Sequence, residues 1–176
     1  LSTQSNAQEV DSIYDVFIDG KKLTTPFKVS ELSEAGYKIR ESTVDKVTRG
    51  VDNIVYYTDR DDGMIVVNLG SYEPECEIDD AYVIDILADN MNTETTKLSV
   101  YGGVSFDSSK EEVAAVYGEP IMENNGLSVY SMTDEDAYMD GVYVMMDGDA
   151  VVRVEVLCTK DFIDWNEEEL EEFESE

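Results

Sequence analysis

Apolar residues recur along this chain at two spacings, every second position and every third or fourth, and the switches between them mark its elements. Asp15 to Leu23 reads as a short apolar run, an Asp19-Gly20 turn and a second edge, which predicts a hairpin. Val29, Leu32 and Ala35 then line one face of a short helix that Gly36 closes. Ile54 to Thr58 and Met64 to Leu69, separated by Asp61-Asp62-Gly63, are rich in β-branched, aromatic and apolar residues and predict two strands. Ala81 to Leu87 predicts a third.

After a polar connector from Asp89 to Thr96 the pattern starts again. Leu98 to Tyr101 predicts a strand that Gly102-Gly103 breaks. Ser108 and Ser109 each have a glutamate three residues on, Glu111 and Glu112, so a capping box opens a helix at either serine. Val113, Val116 and Tyr117 form its apolar stripe, Gly118 stops it and Pro120 prevents its resumption. Leu127 to Met132, Val142 to Met146 and Ala150 to Cys158 predict three more strands, the last two joined by Asp147-Gly148-Asp149. In the final one Val152, Val154 and Val156 alternate with Arg153 and Glu155, which marks one buried face and one wet face.

Each half therefore reads as strand, short helix and meander, with Phe27, Leu32 and Gly36 standing roughly where Phe106, Val113 and Gly118 do. The expectation is an α+β fold: an antiparallel sheet with short helices packed on one face, in two tandem helix-plus-meander repeats over residues 11–90 and 97–160. Residues 1–10 read as a flexible tether. Residues 161–176 read as an acidic tail, partly helical from Asp164 or disordered, since its later glutamates meet the negative end of the helix dipole.

The 176 residues are 42% hydrophobic and 10% aromatic, enough to bury a core. Against 41 acidic residues stand only 12 basic ones, for a formal net charge of -29. Such a surface repels nucleic-acid phosphates and anionic membranes and suits cationic partners. No run reaches the ~18 apolar residues that cross a bilayer as a helix. Cys76 and Cys158 lie far apart and form no metal motif. A disulfide between them would close a long loop and contribute roughly 4 kcal/mol; two separate buried thiols are the other reading.

With no histidine in the chain, Ser-His-Asp and Cys-His nucleophile systems are excluded, and a zinc site nearly so. Carboxylate pairs of the glycosidase kind are compatible with so many acids, but nothing singles out two of them. The acidic loops at Asp59, Asp61 and Asp62 and at Asp134 and Asp136 are candidates for a cation, yet neither has the spacing of a calcium loop, and Asp is an ordinary turn residue between strands. No cofactor is implied. Tyr56 and Tyr57 are adjacent on one strand, so their rings take opposite faces. Together with Tyr130, Tyr138 and Tyr143 they are candidate contact residues, against the alternative that the rings fill the core with hydroxyls at its rim. Met145-Met146 reads as core filling.

The segment Val104-Ser105-Phe106, through Ser108-Ser109-Lys110-Glu111-Glu112-Val113, to Tyr117-Gly118-Glu119-Pro120 resembles a module of extracytoplasmic lipoproteins from gut Gram-positive bacteria. That module is similar to the repeat of the β-lactamase inhibitory protein and to small outer-membrane assembly lipoproteins of the SmpA/OmlA type. Phe27 to Leu32, with Ala35-Gly36-Tyr37, is a fainter copy. The resemblance implies a tandem helix-on-sheet fold in an extracytoplasmic protein anchored at the cell surface. It carries no activity, because the shared residues are caps, turns and core. The resulting expectation is a non-enzymatic binding module that meets a macromolecular partner, a cationic protein or envelope component, through a sheet face. A hydrolase with two carboxylates in a cleft between the repeats and a structural envelope spacer are the alternatives.

Overall fold

The computed structural model describes residues 12–59, 63–90, 98–135 and 139–163. Strands β1 (Asp15–Ile18) and β2 (Lys21–Thr24) turn at Asp19 and Gly20, whose φ values of 52° and 82° suit a two-residue type I′ turn. β3 (Phe27–Lys28) leads into α1 (Val29–Glu34), where the Lys28 N–H donates to the Glu31 carboxylate at 3.2 Å. Then come β4 (Tyr37–Ser42), β5 (Lys46–Thr48), β6 (Ile54–Asp59), β7 (Gly63–Gly70), β8 (Glu75–Glu77) and β9 (Tyr82–Asp89).

β10 (Leu98–Val100) and β11 (Val104–Ser105) precede α2 (Lys110–Tyr117). Of the two serines able to cap it, Ser109 does so, its Oγ accepting from the Glu112 N–H at 3.2 Å. Buried Ser108 accepts instead from the Ser105 N–H. β12 (Met122–Asn124), β13 (Leu127–Thr133), β14 (Gly141–Asp147) and β15 (Ala150–Leu157) follow. An Asn125-Gly126 turn, both residues at positive φ, joins the first two of these.

Nine strands make one sheet, in the order β12-β13-β14-β15-β9-β7-β6-β4, with β3 added beside β9. Its pairings are antiparallel throughout. Four strands from residues 37–89 and four from residues 122–157 thus run in mirrored order and meet at β9–β15. A second sheet, β11-β10-β1-β2, mixes strands from both ends of the chain, and β5 pairs with β8 alone.

The α+β expectation is overturned. Among the described residues the fold is β-rich, 54% strand against 15% helix, and the two α-helices there span six and eight residues. Two turns cannot form a layer. Tyr37–Ser42, Lys46–Thr48 and Glu75–Glu77 are strands that the apolar pattern does not flag. They lie at sheet edges or in a two-stranded ribbon, with charged side chains in water, as edges commonly are.

The pairing registers sort the side chains of the nine-stranded sheet onto two faces. Tyr130, Val144, Val154 and Ala88 form one transverse row on the inner face, and Val142, Val156, Ile86, Val67 and Val55 the next. These residues, 0–2% exposed, join Val29 and Leu32 of α1, Val113 and Tyr117 of α2, and Val16, Ile18, Leu98 and Val100 of the smaller sheet in one core. Each fully buried side chain of this size contributes about 1.5–3 kcal/mol. A bulge in β9, where Asn68 pairs with Asp85 and Leu69 with Val83, leaves Ile84 unpaired. Ile84 is buried beside Phe162 against Gly70, outside the main core.

Candidate functional site

The opposite face of the nine-stranded sheet carries no helix among the described residues, since both helices bury their apolar side chains in the core behind it. Its middle row runs Ser131, Tyr143, Glu155, Leu87, Val66 and Tyr56 across six strands. On one side lies the row Met122, Val129, Met145, Arg153 and Asp89, and on the other Leu157, Asp85, Asn68 and Ile54. Most of these positions are half-buried, unlike their counterparts behind. A solvated antiparallel face is ordinarily polar; this one is largely apolar with a few acids set in it.

At its β13–β15 end the face dips into an open hollow of about 610 Å³, walled by Ile121, Met139, Tyr143 and Leu157 and by the carboxylates of Asp134 and Glu155. Ile121 and Met122, 63% and 56% exposed, extend the apolar surface to the sheet edge. Short bonds fix the rim. The Tyr143 hydroxyl donates to the Met139 carbonyl at 3.1 Å, and the Tyr14 hydroxyl donates to Asp134 at 3.0 Å. The Asp134 N–H donates to the Asp140 carbonyl at 2.9 Å. The buried Asp140 carboxylate accepts from the Thr159 N–H (2.9 Å), the Thr159 hydroxyl (2.8 Å) and the Lys160 N–H (2.9 Å), tying the rim to the segment that leaves β15.

Two carboxyls meet beside the hollow. Asp85 stands opposite Leu157 and Glu155 opposite Leu87, so the two acids are diagonal neighbours across β9 and β15. Burial pushes the Asp85 carboxyl well above the usual carboxylate range, and the nearby charges of Glu155, Asp52 and Asp140 push it further. Burial also raises Glu155, against the lowering effect of its hydrogen bond with Asp85 and of the Arg153 guanidinium. Neighbouring carboxyls do not both ionise cheaply, so both shifts favour keeping a proton on the pair. The Asp85 Oδ1 is buried and has no hydrogen-bond donor.

The expected contact tyrosines divide between the two faces. Tyr56 and Tyr143 lie on the open face. Tyr57 and Tyr130, each 1% exposed, are core residues and present nothing to a partner, because their strand parity turns them inward. Tyr138, Asp61, Asp62 and Asp136 fall outside the described residues. Asp59 ends β6, paired with Gly63. Among the described residues no group of three acids or cysteines is arranged to hold a metal ion. Met146 fills the core, whereas Met145 lies on the open face. Cys76 and Cys158 are free thiols. Burial, with Asp140, Asp161 and Asp134 nearby, pushes the Cys158 thiol up to about 11, which keeps it protonated and unreactive at neutral pH.

Asp85 and Glu155 are the functional candidates that the sequence pattern does not single out. The available signal is an aspartate set between isoleucines in Val-Ile-Asp-Ile-Leu, a charge in the middle of an apolar strand. Comparison with known proteins adds no relative: no family model, no curated protein and no solved structure matches the chain.

Proposed function

We propose that this chain is a non-enzymatic binding module that recognises a cationic macromolecule on the open face of its nine-stranded sheet, and that it does so outside the cytoplasm, tethered at the cell surface. The observation that carries the reading is the row Tyr143, Glu155, Leu87, Val66 and Tyr56: apolar and aromatic side chains around an acid, on a face that no described helix covers. Apolar patches with aromatic centres are where partners gain most of their binding energy. The net charge of -29 selects for positive partners and speeds their approach. The extracytoplasmic tether rests on the lipoprotein resemblance of the Ser109-capped segment.

The test is retention of envelope proteins by three immobilised forms: wild type, a face variant (Leu87→Arg with Val66→Lys) and a control altered on exposed β4 (Lys38→Ala). The reading requires a partner held by wild type and control, released at high salt and lost by the face variant. A partner that all three forms retain equally would show that the face is not the binding surface.

The Asp85–Glu155 pair favours a second reading, a hydrolase using two carboxyls. It fits less well, because glycosidase carboxyls flank an open space that admits the substrate, about 5 Å or more apart, whereas Asp85 is buried beside Glu155 and does not line the hollow.

A further inference from the structure

On the sheet-face reading proposed above, we infer that the hollow beside Glu155 anchors one basic side chain of the partner, a lysine ammonium or an arginine guanidinium, against the carboxylates of Glu155, Asp134 and Glu135. The walls suit such a group. Leu157, Met139 and Ile121 offer apolar contact to a methylene stem, and Tyr143 offers a ring close to the carboxylates at the hollow's inner wall.

The charged residues that line the hollow are all acids: Asp134, Glu135 and Glu155. Around them Asp140 stands behind the rim with Lys160 bonded to it through its N–H, Asp85 and Asp89 lie on neighbouring β9, and Asp52 lies near Asp85. The described cation nearest the pair is Arg153, which is exposed and stands across from Asp89 in the neighbouring row. Asn68, the cross-strand neighbour of Asp85 on β7, already spends its amide on Asp52 and accepts from the Asn53 N–H. The buried Asp85 Oδ1 is thereby left without a donor, which adds to the cost of ionising Asp85.

A positive group seated at Glu155 gains from these carboxylates, and an uncharged side chain of the same shape does not.

The experiment uses two short peptides, one alternating valine with lysine and one alternating valine with norleucine, titrated into isotope-labelled protein near neutral pH. The lysine peptide should shift resonances around the hollow and bind at least about tenfold more tightly than the norleucine peptide. Glu155→Gln should weaken that preference. Asp85→Asn, with its fold verified by circular dichroism, should still bind the lysine peptide. Equal affinity for the two peptides, with both shifting the face, would overturn the cation anchor and leave the sheet-face reading standing. Absence of any shift on the face with either peptide at millimolar concentration would sink both readings.

Discussion

Two buried carboxyls differ in what surrounds them: Asp140 is supplied with donors, and Asp85 is raised by burial. Asp140 is buried, yet accepts from two backbone N–H groups and one hydroxyl, so both its oxygens are supplied with donors. Asp140→Ala would leave the Thr159 N–H and hydroxyl buried without an acceptor. The expected loss is about 3 kcal/mol in urea unfolding, with Thr159→Val costing about 1 kcal/mol because it removes only the hydroxyl bond. A loss below about 0.5 kcal/mol for Asp140→Ala would mean that water replaces the clamp. Little of this is legible in sequence, since Asp140 looks like any other turn aspartate in an acidic loop. That Tyr56 and Tyr57 take opposite faces follows from strand period alone; which of them faces the core depends on the pairing of Tyr57 with Ile65 and Ile39, which the local pattern does not contain.

At the scale of elements, the strands with a strong apolar signal are those at the centre of the sheet, and those without it are at its margins. β7, β9, β13, β14 and β15 each bury one face in the core, so their residue pattern announces them. β4 is recognisable only by its inward Tyr37, because Lys38, Arg40 and Glu41 are exposed. The adjacency of Asp85 and Glu155 was equally out of reach, being a product of β9 pairing with β15 rather than of either strand. Gly70 shows how tightly the end of β7 is packed. A methyl group there would sit 2.6 Å from the Phe162 Cδ1 and 2.9 Å from the Ile84 Cγ2. Phe162 is 3% exposed and its ring lies 4.7 Å from that of Tyr72, which contacts Tyr82 in turn. Gly70→Ala should therefore displace Phe162, cost about 2 kcal/mol and alter the near-ultraviolet circular dichroism of the aromatic cluster. An unchanged spectrum with unchanged stability would mean that Phe162 swings aside freely.

Over the whole molecule two electrostatic effects act against the folded state, and they respond to different agents. The first is the mutual repulsion of a surface at -29, which acts through solvent and is screened by salt. The second is the Asp85–Glu155 pair, whose protons are held more tightly in the folded chain than in the unfolded one. For a carboxyl raised in the folded state the sign is definite. Between its ordinary range near pH ~4 and its raised value the folded state binds more protons, so the pair's contribution is fully present at low pH and is lost as pH rises. Repulsion grows chiefly at the lower end of that interval, where the surface acids ionise, and stays near its full strength above it. Stability should accordingly fall as pH rises above the ordinary carboxylate range in dilute buffer. Adding about 0.5 M NaCl should restore the part due to surface charge and leave the part due to the buried pair, which mobile ions screen far less. Asp85→Asn should do the reverse, because asparagine keeps a donor to Glu155 while removing the titrating group, so the variant's stability relative to wild type should increase with pH even at high salt. Urea midpoints of both proteins at two pH values and two salt concentrations separate the terms. If the pH slope of wild type vanishes in salt and Asp85→Asn has the same slope as wild type, the buried pair carries no strained proton, and the acids on the open face behave as ordinary solvated carboxylates.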